Sequence, residues 1–196
     1  MKIKSILASV LICISLAGCD TYTGAPYSVS IPANTLLKSY GPANVAVQPF
    51  TSQIKPDMLC RLVGPIHLPG DISPEAYITK AFSDQFELAG LTSGKNAPVT
   101  ISGEITRFDF SSMIGDGNWN FGVTLKSSNG HSLSVSEDYH FAASFAGEAA
   151  CHNVADAYAP AVQALVQKAV KEPGFPALLK ASGARAPKSY PAGHLH

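Results

Sequence analysis

Charge is scarce in this chain of 196 residues, and neither sign prevails: 14 Lys and Arg stand against 14 Asp and Glu. A nucleic-acid binder needs a basic surplus, and none exists here. An acidic, disordered chain is excluded as well, because 46% of the residues are hydrophobic, enough to build a core. Long apolar runs are also few. Past the first 18 residues, no segment reaches the ~18 unbroken apolar residues of a spanning helix. Recognisable chemistry is missing too. There is no Gly-x-Ser-x-Gly elbow, no Gly-x-x-x-x-Gly-Lys-Ser/Thr phosphate loop and no His-Glu-x-x-His. These gaps point away from an enzyme, a bound metal or a cofactor.

What is present begins at the N-terminus. Lys2 and Lys4 precede an apolar stretch from Ile6 to Leu16, and small residues follow it at once. The stretch is too short to cross ~30 Å of hydrocarbon, so residues 1–18 read as an export signal. The junction Leu16-Ala17-Gly18-Cys19 has the form of a lipobox. Its small residues suit a narrow peptidase cleft, and the Cys19 thiol is the nucleophile that takes the diacylglycerol. Lipid chains contribute ~0.8 kcal/mol per buried CH₂, so two or three of them anchor a protein stably. The alternative is an ordinary signal peptide that happens to contain a cysteine. Asp20, next in line, resembles an inner-membrane retention signal of the enteric sorting system.

Only four cysteines occur. Cys13 leaves with the signal peptide and Cys19 carries lipid, so Cys60 and Cys151 remain in an oxidising compartment. They are expected to pair. The bond would close a loop of 91 residues, worth roughly 4–5 kcal/mol in the chain-entropy model. Two separate buried thiols are the competing reading. Metal ligation lacks a second cysteine at ligand spacing, and a redox pair would favour Cys-x-x-Cys.

Residues 19–42 are rich in Thr, Tyr, Pro, Ser and Gly without helical periodicity, and read as a lipidated start and flexible tether. Residues 181–196 read as a frayed tail. Between them, residues 43–180 form one domain. Val45 to Phe50 predicts a short strand ended by Pro49. Ser73-Pro74-Glu75 is an N-cap, a proline at the first helical position and a first-turn acid. Behind it, Ile78, Ala81, Phe82, Gln85, Phe86 and Ala89 form one stripe that stops at Gly90.

Val99, Ile101, Gly103 and Ile105 then alternate, but the large residues slip to Phe108 and Phe110. A one-residue slip would turn the aromatics outward, so a bulge is predicted near Thr106–Arg107. Trp119, Phe121, Val123 and Leu125 mark the next strand. Asn129-Gly130 signals a hairpin. Leu133, Val135, Tyr139, Phe141, Ala143 and Phe145 continue the odd-numbered face, interrupted by Glu137 at a suspected sheet edge. A second amphipathic helix opens near His152-Asn153, with Pro160 expected to bend it or restrict its start. Pro173 stops it, and a last turn at Phe175 to Leu179 packs back. The order β-α-β-β-β-α predicts an α+β two-layer sandwich: a mainly antiparallel four-stranded sheet with two helices on one face.

Weaker candidates have plainer explanations. Gly115-Asp116-Gly117 lacks the alternating acids of a calcium loop and reads as a tight turn. His67, His131, His140 and His152 are scattered, and His140 should point outward. His194 and His196 could bind metal adventitiously. Trp119 could be a sugar platform, yet it lies in register with the core.

Several segments in order resemble the YajG family of bacterial lipoproteins: Ile101-Ser-Gly103-Glu-Ile105, Gly117-Asn118-Trp119-Asn120, Ser128-Asn129-Gly130, Tyr139-His-Phe141-Ala-Ala-Ser144-Phe145 and Asn153-Val154-Ala155-Asp156-Ala157. The element order is also similar to the lipopolysaccharide-assembly lipoprotein LptE and to auxiliary transport lipoproteins such as PqiC. The resemblance implies action by protein contact and supplies no catalytic residues. The Cys60/Cys151 pair lies outside the family pattern. The expectation is a non-enzymatic accessory lipoprotein of the cell envelope, facing the periplasm and docking onto a larger complex. The alternative is a lipid- or glycan-binding module with an apolar pocket between sheet and helices.

Overall fold

Three long strands carry the molecule, and everything else is arranged on one side or one end of them. The computed structural model describes residues 21–92 and 97–181. The signal peptide, Cys19, Asp20 and the two tail histidines lie outside the described residues. In chain order the elements are β1 (Tyr22–Thr23), α1 (Ile31–Ser39), β2 (Val45–Val47), β3 (Thr51–Ser52), β4 (Leu59–Cys60) and β5 (Gly64–His67). A 3-10 turn at Pro69–Asp71 leads to α2 (Pro74–Leu88), β6 (Val99–Ser111), β7 (Gly115–Ser127), β8 (Ser132–Ala143), α3 (Gly147–Lys171) and α4 (Phe175–Leu178).

The main sheet runs β2-β6-β7-β8, with β3 also pairing β6. β6, β7 and β8 are antiparallel, whereas β2 and β3 join β6 in parallel. The class is α+β, as the element order predicts. The expected single first strand is instead two short ones, because Pro49 between them has no N–H to give the ladder. A second sheet, β1-β5-β4, stands apart from the first.

Local signals explain α2. Ser73 accepts from the Ala76 N–H at 3.2 Å, Pro74 opens the helix, and Gly90 takes φ +75° just past its end. The stripe Ile78, Ala81, Phe82, Gln85 and Phe86 is buried. The phase slip in β6 is equally physical. Ile105 faces Val123 and Arg107 faces Gly122, so Thr106 is the extra residue of a bulge. Opposite it only glycine fits, since a Cβ on Gly122 would lie 2.7 Å from Thr106 Oγ1. The bulge turns Phe108 inward, where it meets Trp119 and Phe121 at 5.6 and 5.5 Å.

Further expectations need correction. The described part of the expected tether, residues 21–42, is not a tether: Tyr22 and Leu37 are buried, and α1 docks on the domain. Its anchor is Gln85 of α2, whose Oε1 accepts from the Ser30 N–H at 2.7 Å and the Tyr27 hydroxyl at 3.1 Å. The second helix opens at Gly147, not near His152, because the loop residue Ser144 bonds the Ala146 N–H and its N-cap, Ala146, carries no polar signal. Phe145 is exposed, since β8 ends at Ala143 before reaching it. Pro160 does not interrupt α3, and both it and Asp156, whose carbonyl loses its i+4 donor there, sit on the exposed side.

Candidate functional site

The sheet–helix interface is packed with aromatic side chains. Trp119, Phe121, Phe82, Phe86 and Tyr158 fill it, each under 2% exposed. Trp119 stacks on Phe121, meets Tyr158 edge-on at 5.0 Å, and donates from Nε1 to the Val154 carbonyl at 2.9 Å. That makes it a core residue, not a platform. Burial also holds three phenols protonated. It raises Tyr77 to about 12, lifts Tyr27 higher, with help from Asp84, and pushes Tyr158 well above its ordinary value.

The histidines go to different places. His67 approaches Asp71 at 3.4 Å, His140 lies 3.2 Å from Asp116, and His152 packs edge-on against the Tyr22 ring at 4.9 Å. His140 points outward as expected. It belongs to a polar array on the open sheet face, where Asn118 donates to Asp138 and Asn120 donates to Asp109. Asp116 and Gly117 lie within β7 itself, opposite β8, so the turn closes just before them. Among the described residues, no group of three or more His, Cys, Asp or Glu could hold a metal ion. Glu137 lies on β8, a sheet edge, and pairs with Lys168 at 3.3 Å.

One end of the molecule is built differently. Cys60 on β4 and Cys151 on α3 form a disulfide with 5.8 Å between Cα atoms, both buried. Immediately after Cys60 the chain reverses. The Val63 N–H donates to the Cys60 carbonyl at 2.9 Å, with φ +47° at Arg61 and +58° at Leu62. Such turns favour Asn-Gly. Left-handed backbone costs a side-chain-bearing residue about 1–2 kcal/mol, so something else must hold this turn.

The disulfide is one restraint and Arg61 is another. Its guanidinium donates to the Ser112 hydroxyl at 3.1 Å, to the Ser112 carbonyl, and to the Phe145 carbonyl at 3.0 Å. Arg61 thereby joins the β4–β5 turn, the β6–β7 loop and the β8–α3 loop. All three carry exposed apolar side chains at their tips: Leu62 and Val63, Met113 and Ile114, and Phe145. A groove of 730 Å³ opens beside them, lined by Lys55, Leu59, Phe110 and Ile114 among others. Sequence reasoning missed this cluster. Arg61-Leu62 carries no turn signal, and only folding brings the three loops together.

No family model and no curated protein sequence matches the chain. Solved structures similar to it include the following three. One is protein XCC0632 of Xanthomonas campestris, of the DUF330 family, with TM-score 0.48 and 12% identity over 81% of this chain and 94% of that one. Another is a PelC dodecamer from Paraburkholderia phytofirmans, with TM-score 0.36 and 13% identity over 74% and 91%. The third is a lipoprotein candidate of Caulobacter crescentus, with TM-score 0.38 and 10% identity over 70% and 89%.

Proposed function

We propose that the protein is a lipid-anchored, non-enzymatic accessory lipoprotein of the bacterial envelope, facing the periplasm and docking onto a larger assembly or transport complex. The observation that carries the reading is the junction Leu16-Ala17-Gly18-Cys19 directly behind a short apolar export segment. Cys19 is the lipidated residue and Asp20 favours the inner membrane. The resemblance to YajG lipoproteins and the disulfide, which suits an oxidising compartment, support the same setting. No helix among the described residues is long and apolar enough to cross a membrane, so the acyl chains would be the attachment.

The docking edge is β8. It spans Ser132–Ala143 and pairs with β7 on one side only, leaving main-chain groups for strand addition by a partner. A ligand module would need space between sheet and helices, and the aromatic packing there argues against it. The test is metabolic labelling with a palmitate analogue, followed by crosslinking in intact cells. Acylation lost in Cys19→Ser, and a reproducible protein partner, are the expected results. Unlabelled wild-type protein would refute the anchor, and labelled protein with no partner would refute the docking role.

A further inference from the structure

We propose that the Arg61-linked end of the domain, with Leu62, Ile114 and Phe145 at its tips, lies in the headgroup–acyl boundary of the bilayer that holds the Cys19 lipid. The inference rests on the lipid-anchor reading above. It adds that the protein lies against its membrane by a specific face.

The first argument is where the chain enters. β1 is parallel to β5, with Tyr22 opposite Ile66. Chain upstream of Tyr22 therefore arrives from the side of the Cys60–Gly64 turn, where Leu62 projects. Cys19 stands two residues before Thr21, the first described residue, and two extended residues reach at most ~7 Å. Tyr22 is 3% exposed and locked in the small sheet, so no slack follows. An acyl group on Cys19 thus brings this end of the domain to the bilayer surface.

The second argument is the surface itself. Leu62 is 88% exposed, Phe145 81%, Met113 72% and Ile114 64%. Single exposed apolar residues are ordinary, but large ones gathered on adjoining tips mark an interaction face. Arg61 ties the tips together with its own donors, and the left-handed backbone at Leu62 holds that side chain outward against its intrinsic preference. The bilayer is the occupant because the covalent anchor reaches this end and no other.

The test uses the full-length lipidated protein in vesicles of phosphatidylethanolamine and phosphatidylglycerol whose acyl chains carry bromine, a short-range quencher of indole. Trp119 is the only native tryptophan and is fully buried, so it sets a constant background. Tryptophan is added singly as Leu62→Trp, Ile114→Trp or His131→Trp. His131 lies beyond the opposite end of the 13-residue β7, ~40 Å away. Leu62→Trp and Ile114→Trp should each lose on the order of half their added emission, as for side chains seated ~5–10 Å into the boundary, while His131→Trp keeps its own. Acylated protein, verified by intact mass, in which all three positions behave alike would overturn the proposal and leave the anchor standing. Absence of the acyl mass would overturn both.

Discussion

Reducing the Cys60–Cys151 bond should cost the domain a large part of its stability, and the amount can be worked from the fold. The bond spans 91 residues and encloses α2 and the three long strands. Releasing a loop of that length returns about 15 cal/mol/K to the unfolded chain, or about 4.6 kcal/mol at 25 °C. Residual structure in the unfolded chain trims the gain, so ~3–5 kcal/mol is expected, against a total of ~5–15 kcal/mol for an ordinary domain. The reduced wild type is a better comparison than an alanine pair. Both sulfurs are buried, and truncating them would add a cavity cost to the loss of the link.

The assay is urea unfolding followed by Trp119 fluorescence, oxidised against protein reduced in denaturant and refolded with reductant. Trp119 reports on the right region, since its Nε1–H bonds Val154, three residues beyond Cys151. With a slope of ~2 kcal/mol/M, the midpoint should fall by ~2 M. A shift below ~0.5 M would refute the loop-entropy reasoning. So would an unchanged Trp119 transition accompanied by new cleavage near Arg61, which would show that the bond restrains only its own turn.

Two further outcomes follow from buried polar groups. Gln85→Leu removes the acceptor of the Ser30 N–H and the Tyr27 hydroxyl, near the start of α1. It should destabilise by ~2–3 kcal/mol in thermal unfolding and speed amide exchange across Ile31–Ser39. Unchanged exchange there would show that α1 does not depend on Gln85. The phenols make folding sensitive to alkali. Tyr77 is raised by burial from 10.0 to about 12 in the folded protein, and Tyr158 and Tyr27 are raised as well. Stability is therefore complete below the unfolded value of 10.0 and is lost as pH climbs through about 12. A phenolate titration by ultraviolet absorbance should show these tyrosines ionising late and together with unfolding; early, reversible ionisation of all seven tyrosines without unfolding would contradict the burial.

Legibility in the sequence depended on whether the signal was local. α2 announces itself within its own residues, through Ser73, Pro74, a stripe and Gly90. The bulge was readable because the slip from Ile105 to Phe108 has one structural solution. The disulfide was legible from the number of cysteines and from the export that the N-terminus leads one to expect. α1 was not readable: it has nine residues, only Ala33 and Leu37 are buried, and a helix this short is marginal without tertiary support. That support comes from Gln85 on α2 and from the Tyr40 hydroxyl, which donates to the Val170 carbonyl at 2.7 Å. The start of α3 was hidden for a similar reason, with Ser144 acting from the preceding loop. β1 consists of two residues whose partner lies 44 positions away, so no pattern within the segment could reveal it.

Two of the hairpin turns of this chain, β4–β5 and β7–β8, separate what the backbone requires from what the surface requires. Between β7 and β8 the chain uses Asn129-Gly130, with glycine at φ +94°, and the Asn129 amide donates to the Ala177 and Lys180 carbonyls. That turn takes the residue its backbone favours. Between β4 and β5 the same chain places Arg61 and Leu62 in left-handed backbone, where Asn-Gly would relieve strain of about 1–2 kcal/mol per residue. The backbone gains nothing from this choice. Arg61 accounts for itself by binding Ser112 and Phe145, but Leu62 buries almost nothing within the domain. A strained position occupied by a large exposed apolar side chain, on the side from which the chain enters β1, fits the proposal that this side chain meets an apolar phase outside the protein. Under the proposed lipid anchor, the membrane holding the acyl chains would be the nearest such phase.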